Sequence, residues 1–362
     1  MFPLSLGFCD LIGLGVTLAN SISGTTISKL TPSQFSAIGT AQINALSTAD
    51  VQSITTAQIA ALTTSQAVAL SATSISALSS TQIAALETSD FSVLTSTQFV
   101  ALKTNQIQAL TTAQIQALSA SQAVNIVVTQ VAALTTAQLV ALQTDDLASL
   151  SATAVKGLTT AQVSNLTTDQ VVALTSTQAA ALTSTQVAAL TTAQLVTLET
   201  GDLASLSATA VKAMTTAQVS NLTTDQVVAL TTTQAAALTS AQTAALTTSQ
   251  VAALETSDLS SLSTSALTGL TTAGVVALTT TQAASLTAAR VAALTTAQVA
   301  ALATDDLANL TTAGLSGLTT AQVSNLTTAQ VVALTTTQAA ALSATQVAAL
   351  TTAQLVALQT DD

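Results

Sequence analysis

Seven aspartates, Asp50, Asp90, Asp146, Asp202, Asp258, Asp306 and Asp362, recur at separations of 40, 56, 56, 56, 48 and 56 residues. Their type and spacing come closest to a repeated chemical site. A carboxylate serves as a general base, a hard-cation ligand or a helix cap, and the neighbouring residues decide which. Catalysis needs a proton-transfer or nucleophilic partner, and the chain has no His and a single cysteine, Cys9. It also has no nucleophile elbow and no Gly-rich phosphate loop. Asp145 with Asp146, and Asp305 with Asp306, bring too few oxygens from one chain for a Ca²⁺ site. No catalytic residue, cofactor or metal is therefore assigned, and no enzymatic activity is expected. A duplicated 56-residue block that carried its irregular segment along explains the spacing. The sharper reading makes Asp90, Asp146, Asp202, Asp258 and Asp306 register or interface markers, where neighbouring chains touch or a cation binds.

Composition narrows the partners. Hydrophobic residues make up 49% of the 362 residues, charged residues 6% and aromatics 1%, so apolar material for a core is present but is nearly all Ala, Leu and Val. The net charge is −11, and Lys29, Lys103, Lys156, Lys212 and Arg290 stand alone. Nucleic acid is excluded on that ground, because phosphate binding needs clustered Lys and Arg.

The element that carries the aspartates is an octapeptide. From Leu30, steps of eight reach Ile38, Leu46, Ile54, Leu62 and onward to Leu350 and Leu358 without an insertion. Counting this landmark as position one, the second position is Ser or Thr in 33 of 42 octads, and the fifth is Gln in 28 and Asp in 7. The sixth is mostly Val, Ile, Leu or Phe, and the seventh and eighth are mostly Ala. Thr-x-x-Gln is a capping box, in which the hydroxyl accepts from the N3 backbone N–H and the Gln reaches back to the N-cap. The landmark and the sixth position then stand at N′ and N4, the two members of a hydrophobic staple. Leu30-Thr31-Pro32-Ser33-Gln34-Phe35 adds Pro at N1. The pattern predicts a helix start every eight residues.

A period of eight fits neither a continuous helix nor a coiled coil. A β-solenoid is the rival, since an even period and abundant Thr and Val suit strands. Against it, the landmark and the sixth position lie five apart and would face opposite sides of a strand. Helices this short are marginal alone and must be held by neighbours. The expected fold is thus all-α: a narrow solenoid of capped mini-helices over residues 30–362, with Leu and Val inside and Thr and Gln outside. In six of the seven Asp octads the second position is Glu87, Gln143, Glu199, Glu255, Ala303 or Gln359. There the cap is expected one residue later, at Thr88, Thr144, Thr200, Thr256, Thr304 and Thr360, with acids in the first turn where the helix dipole favours them.

Leu166-Thr167-Thr168-Asp169-Gln170-Val171-Val172-Ala173 resembles the first helix of a transcription activator-like effector repeat. The second helix, base-reading loop and basic stripe of that family are missing, so the likeness supports a helix start and not DNA binding. The array over residues 30–362 is similar to Thr/Ala-rich L-T-x-x-Q-V-x-A-L repeats of large secreted bacterial surface proteins, adhesin- or filament-type. That resemblance implies an extracellular or cell-surface structural protein whose partner is a further copy of itself. The alternative is an adhesin stalk or a Thr-rich face that binds a cell-surface glycan. Residues 1–29 read as an apolar N-terminal cap or docking segment. Asp10 and the lack of a basic start fit neither a membrane span nor a secretory signal, and any membrane contact of this segment is left open. Asn165, Asn221, Asn309 and Asn325 each begin an N-x-Thr sequon, which arises wherever an octad ending in Asn precedes a Leu-Thr.

Overall fold

The structure, a computed structural model, describes residues 27–358. The expected cap at residues 1–29 falls mostly outside them, as does the final Asp362. The described residues contain 41 helices of four to six residues, from Pro32–Ser36 to Thr352–Ala357, and no strand. The β-solenoid alternative is therefore excluded for these residues. Two compact units divide at Leu174 and Thr175. The octad phase runs unbroken through that point in the sequence.

The octad beginning at Leu222 shows how eight residues make one helix. Thr223 is extended at φ −69° and ψ 159°, and its hydroxyl accepts from the Gln226 backbone N–H at 3.1 Å. Gln226 Oε1 accepts in return from the Thr223 N–H, also at 3.1 Å, which completes the capping box. The helix Thr224–Val228 follows. Ala229 closes it by donating to Asp225 O at 3.0 Å. Thr231, extended at φ −82° and ψ 156°, then starts the next helix. Where the next cap is Ser or Thr it helps end the helix, since a residue that must be extended to present its hydroxyl cannot also continue the helix. Thr231→Val removes one such hydroxyl, whose bond to the Gln234 N–H is 3.3 Å long, but leaves the Gln234 half of the box in place. Chemical denaturation should record a loss of about 1 kcal/mol for this variant.

Within each unit a helix packs on the helix three octads further along, so one turn takes three helices and 24 residues. Thr232–Ala237, for example, lies between Ala208–Lys212 and Thr256–Ser261. Helices of this length gain their stability from such stacking, as the sequence anticipates. The core is a column of sixth positions and landmarks. Val227, Val251 and Leu259 are fully buried, and Leu230 and Leu254 nearly so. Burial fails only in the end turns: Leu30, Ile38 and Leu46 are half-buried, Val347 is 45% exposed and Leu355 is 56% exposed. Those side chains lack a further turn on one side among the described residues. Phe91 and Phe99, at sixth positions of successive octads, meet edge to face with centroids 6.0 Å apart.

Small eighth positions allow turns to approach closely. At Gly269 an added Cβ would come within 2.5 Å of both Ser240 O and Thr243 Oγ1. Thr243 replaces the usual apolar sixth residue there and donates its hydroxyl to Ala266 O at 2.7 Å. A buried hydroxyl is tolerated because it finds a carbonyl on the next turn.

One expectation about the faces is corrected. Thr lies outward, but Gln does not: Gln106 and Gln122 are fully buried, and Gln226 is 2% exposed. An amide tolerates such burial only when its donors and acceptor are all engaged, and the stacked turns supply those partners.

Candidate functional site

The fifth position of the octad is where chemistry concentrates. In an ordinary octad the Gln amide works at both ends. Gln226 accepts at Oε1 from the backbone N–H of its own N-cap, Thr223. Its Nε2 donates to Leu195 O at 2.8 Å, Val196 O at 3.3 Å and Leu198 O at 2.9 Å. Those carbonyls end the helix four octads earlier, at the corner where the chain enters the helix beneath Gln226. In the first unit, Gln138 accepts from Thr135 N–H at 2.7 Å and donates to Ile107 O at 2.8 Å and Leu110 O at 2.6 Å. One side chain thus satisfies an orphan donor at the start of one helix and orphan acceptors at the end of another. The Gln half of the box persists where the cap residue has no hydroxyl. Gly39, Lys103 and Val127 each donate their backbone N–H to the Gln three residues on, at 3.0, 2.7 and 3.2 Å.

Substitutions at this position separate the two roles. Arg290 keeps the donor role, with Nη2 donating to Leu262 O at 2.6 Å and to Ser260 O. It has no acceptor, and Thr287 has no side-chain cap bond. Asp50 keeps the acceptor role, taking the Ser47 backbone N–H at 3.1 Å and the Ser47 hydroxyl at 2.6 Å on Oδ2.

The five internal Asp octads do neither. Asp90, Asp146, Asp202, Asp258 and Asp306 are all buried, and no capping bond forms at their helices. Oδ2 of Asp90, Asp202, Asp258 and Asp306 has no hydrogen-bond partner. Asp202 has a donor on its other oxygen, from Ser176 Oγ at 2.7 Å. The expected one-residue shift of the cap does not occur. Glu87, Gln143, Glu199, Glu255 and Ala303 remain the N-caps, and the helices begin at Thr88, Thr144, Thr200, Thr256 and Thr304. Stacking on the turns above and below holds every helix in the common register, and a local capping preference is too weak to move it. Thr360, the last of the expected shifted caps, lies outside the described residues.

Burial pushes the carboxyls of Asp90, Asp146 and Asp306 above the usual aspartate range, with further upward pressure from Glu87, Asp145 and Asp305 respectively. Asp258 is pushed up to about 6 by burial and then by Glu255. Desolvation penalises the charged form, and a neighbouring anion adds to the penalty.

Three helices per turn also sets where these residues stand. Asp90 and Asp146 lie seven octads apart, which is two turns and one helix, so they occupy different sides of the first unit. Asp202 and Asp258 differ in the same way in the second unit, whereas Asp258 and Asp306, six octads apart, share a side. Beside them Glu87, Asp145, Glu199, Glu255 and Asp305 are exposed, as are Asp169 and Asp225 in ordinary Gln octads. Among the described residues no three of His, Cys, Asp and Glu come together in a group that could hold a metal. No helix there is long and apolar enough to cross a membrane. The four sequon asparagines are exposed and donate Nδ2 to the carbonyl four residues earlier, each at 2.8 Å.

The fold and the repeated amide clamp define a protein of the solenoid repeat class, in which each unit is stabilised by its neighbours. The family described as the ALTTAQ repeat matches residues 27–64, 35–72, 83–120, 139–176, 195–232, 251–288 and 299–336, well over half of the chain, and the chain belongs to that family. In the last five of these segments the eighth residue is Asp90, Asp146, Asp202, Asp258 or Asp306, so the irregular octad recurs at a constant place. No curated protein matches the chain.

Proposed function

We propose that the chain is a structural element of the bacterial cell surface or an extracellular filament, sheath or layer, assembling by lateral packing of identical chains. The observation that carries this reading is the outer surface. Position seven repeatedly presents an exposed valine: Val68, Val100, Val140 and Val172 in the first unit, Val196, Val228 and Val276 in the second. Around them stand exposed Thr and Ala and very few charges. Such a surface offers the same apolar and neutral polar contacts at every level and little repulsion to keep copies apart. The work assigned to such a surface is mechanical. The interface-marker reading of the Asp octads is carried by their exposed acids, which would break the uniform surface and set the register of neighbouring chains.

Because the packing proposed is neutral, assembly should survive salt that screens ion pairs. Sedimentation and electron microscopy of the full chain at low and at about molar salt test this, with polymers expected in both. Monomers in both conditions would favour the second reading, an adhesin stalk or glycan-binding face, which rests on the exposed Thr at the second and third positions.

A further inference from the structure

The buried aspartates stand where every ordinary octad places an N–H donor. In the Gln octads that donor reaches the carbonyls 31 and 28 residues earlier, as in Gln250 to Val219 O and Leu222 O at 2.9 and 2.7 Å. A carboxylate at the same place has no hydrogen to offer, and Oδ2 of Asp90, Asp258 and Asp306 is buried without a partner. No base compensates it. The helix of Asp90 packs against Thr64–Ala69 and Thr112–Gln116, and that of Asp258 against Thr232–Ala237 and Thr280–Ala284. The helix of Asp306 packs against Thr280–Ala284 and Thr328–Val332. None of these helices contains a charged residue.

A second acid accompanies each buried one, and it comes from two different places. In three octads it is the N-cap: Glu87 beside Asp90, Glu199 beside Asp202, Glu255 beside Asp258. In the two octads whose N-cap is Gln143 or Ala303, it is the residue just before the buried aspartate, Asp145 or Asp305. Block duplication copies a residue at a fixed position; it does not move an acid from one position to another. Asp50, which completes an ordinary capping box with the N-cap Ser47 and is not buried, has no such companion.

We propose that Asp90, Asp258 and Asp306 are proton-binding sites, whose neutral carboxylic acid donates its O–H to the turn beneath in place of the missing Gln amide. The companion acid strengthens proton binding by repelling the ionised form. Burial and the companion both act in this direction at all three residues. A group that holds its proton more tightly folded than unfolded favours the fold when protonated. Its contribution is therefore complete below the ordinary aspartate range and is lost as pH rises through the folded value, about 6 for Asp258. The array becomes stiffer in mildly acidic surroundings and looser in neutral ones.

The test compares the full chain with D90N/D258N/D306N, in which the amide supplies a donor at every pH. Unfolding is followed by calorimetry between about pH 5 and about pH 7.5. The parent Tm is expected to rise by several degrees on acidification, and the variant to lose most of that dependence and to exceed the parent at neutral pH. The infrared band of protonated carboxylic acid, readable whether or not the chain assembles, should persist above the ordinary aspartate range in the parent, to about 6 for Asp258, and be reduced in the variant. Equal pH slopes in parent and variant, or no such band above the ordinary aspartate range, would overturn the proposal. So would a rise in the parent Tm at neutral pH with added Ca²⁺ that the variant lacks, since the occupant would then be a cation.

Discussion

Replacing Gln226 by Glu is expected to cost about 3 kcal/mol at neutral pH, although the capping box by itself accepts Glu as readily as Gln. The carboxylate keeps the acceptor that takes the Thr223 N–H. It loses the Nε2 donor to Leu195, Val196 and Leu198 and puts a negative charge against those carbonyls in a 2% exposed site. An unpaired buried charge with no counter-ion is among the few causes of so large an effect. Gln226→Leu should be nearly as damaging, because it strands the Thr223 N–H and the same carbonyls at once. The readout is local: amide hydrogen exchange should quicken in the helices Thr192–Thr197, Thr200–Ser205 and Thr224–Val228, since an array couples mainly to its neighbours. A cost near that of Thr231→Val would show that only the cap matters at this position.

Leu230→Asp is the second large effect. Leu230 is 5% exposed and stands in the apolar column beside Val227, and Lys212, at the end of the neighbouring helix Ala208–Lys212, is exposed rather than turned into that column. Its replacement deletes a buried side chain and inserts an unpaired charge, for a combined loss of about 4 kcal/mol or more. The loss should show in denaturant titration as an early transition confined to part of the second unit. Leu350→Asp, at a half-buried landmark of the end turn, should cost much less.

These two residues also mark what the sequence makes legible. Leu230 was readable as core, because the landmark and the preceding sixth position are three apart and share a helix face. The helix starts were readable too, since capping box and staple agree in most octads. The Gln reading was half complete. A local motif explains Oε1, but the partners of Nε2 lie 28 to 31 residues away, and nothing in an eight-residue pattern points there. One signal was available: the fifth position is Gln in 28 octads and never Glu, a preference that capping leaves unexplained and a required N–H donor explains. The number of helices per turn was not readable, because identical octads carry no mark of which one stacks on which. The caps of the Asp octads were misplaced for a related reason. Thr88 is a good cap by type, but the stack holds Glu87 in the cap position.

The most direct test of three helices per turn is disulfide crosslinking between exposed positions. The Asn105 side-chain amide donates to Ser80 Oγ at 3.2 Å, and Ser80 donates to Asn105 O at 3.2 Å, so these residues 25 apart touch across one turn. In a Cys9→Ser background, S80C/N105C should close an intramolecular disulfide under mild oxidation. S80C/T97C and S80C/A113C, which move the partner by one octad in either direction, should remain reduced under the same conditions. Closure of either control in preference to the Ser80–Asn105 pair would mean two or four helices per turn and would contradict the clamped three-helix coil.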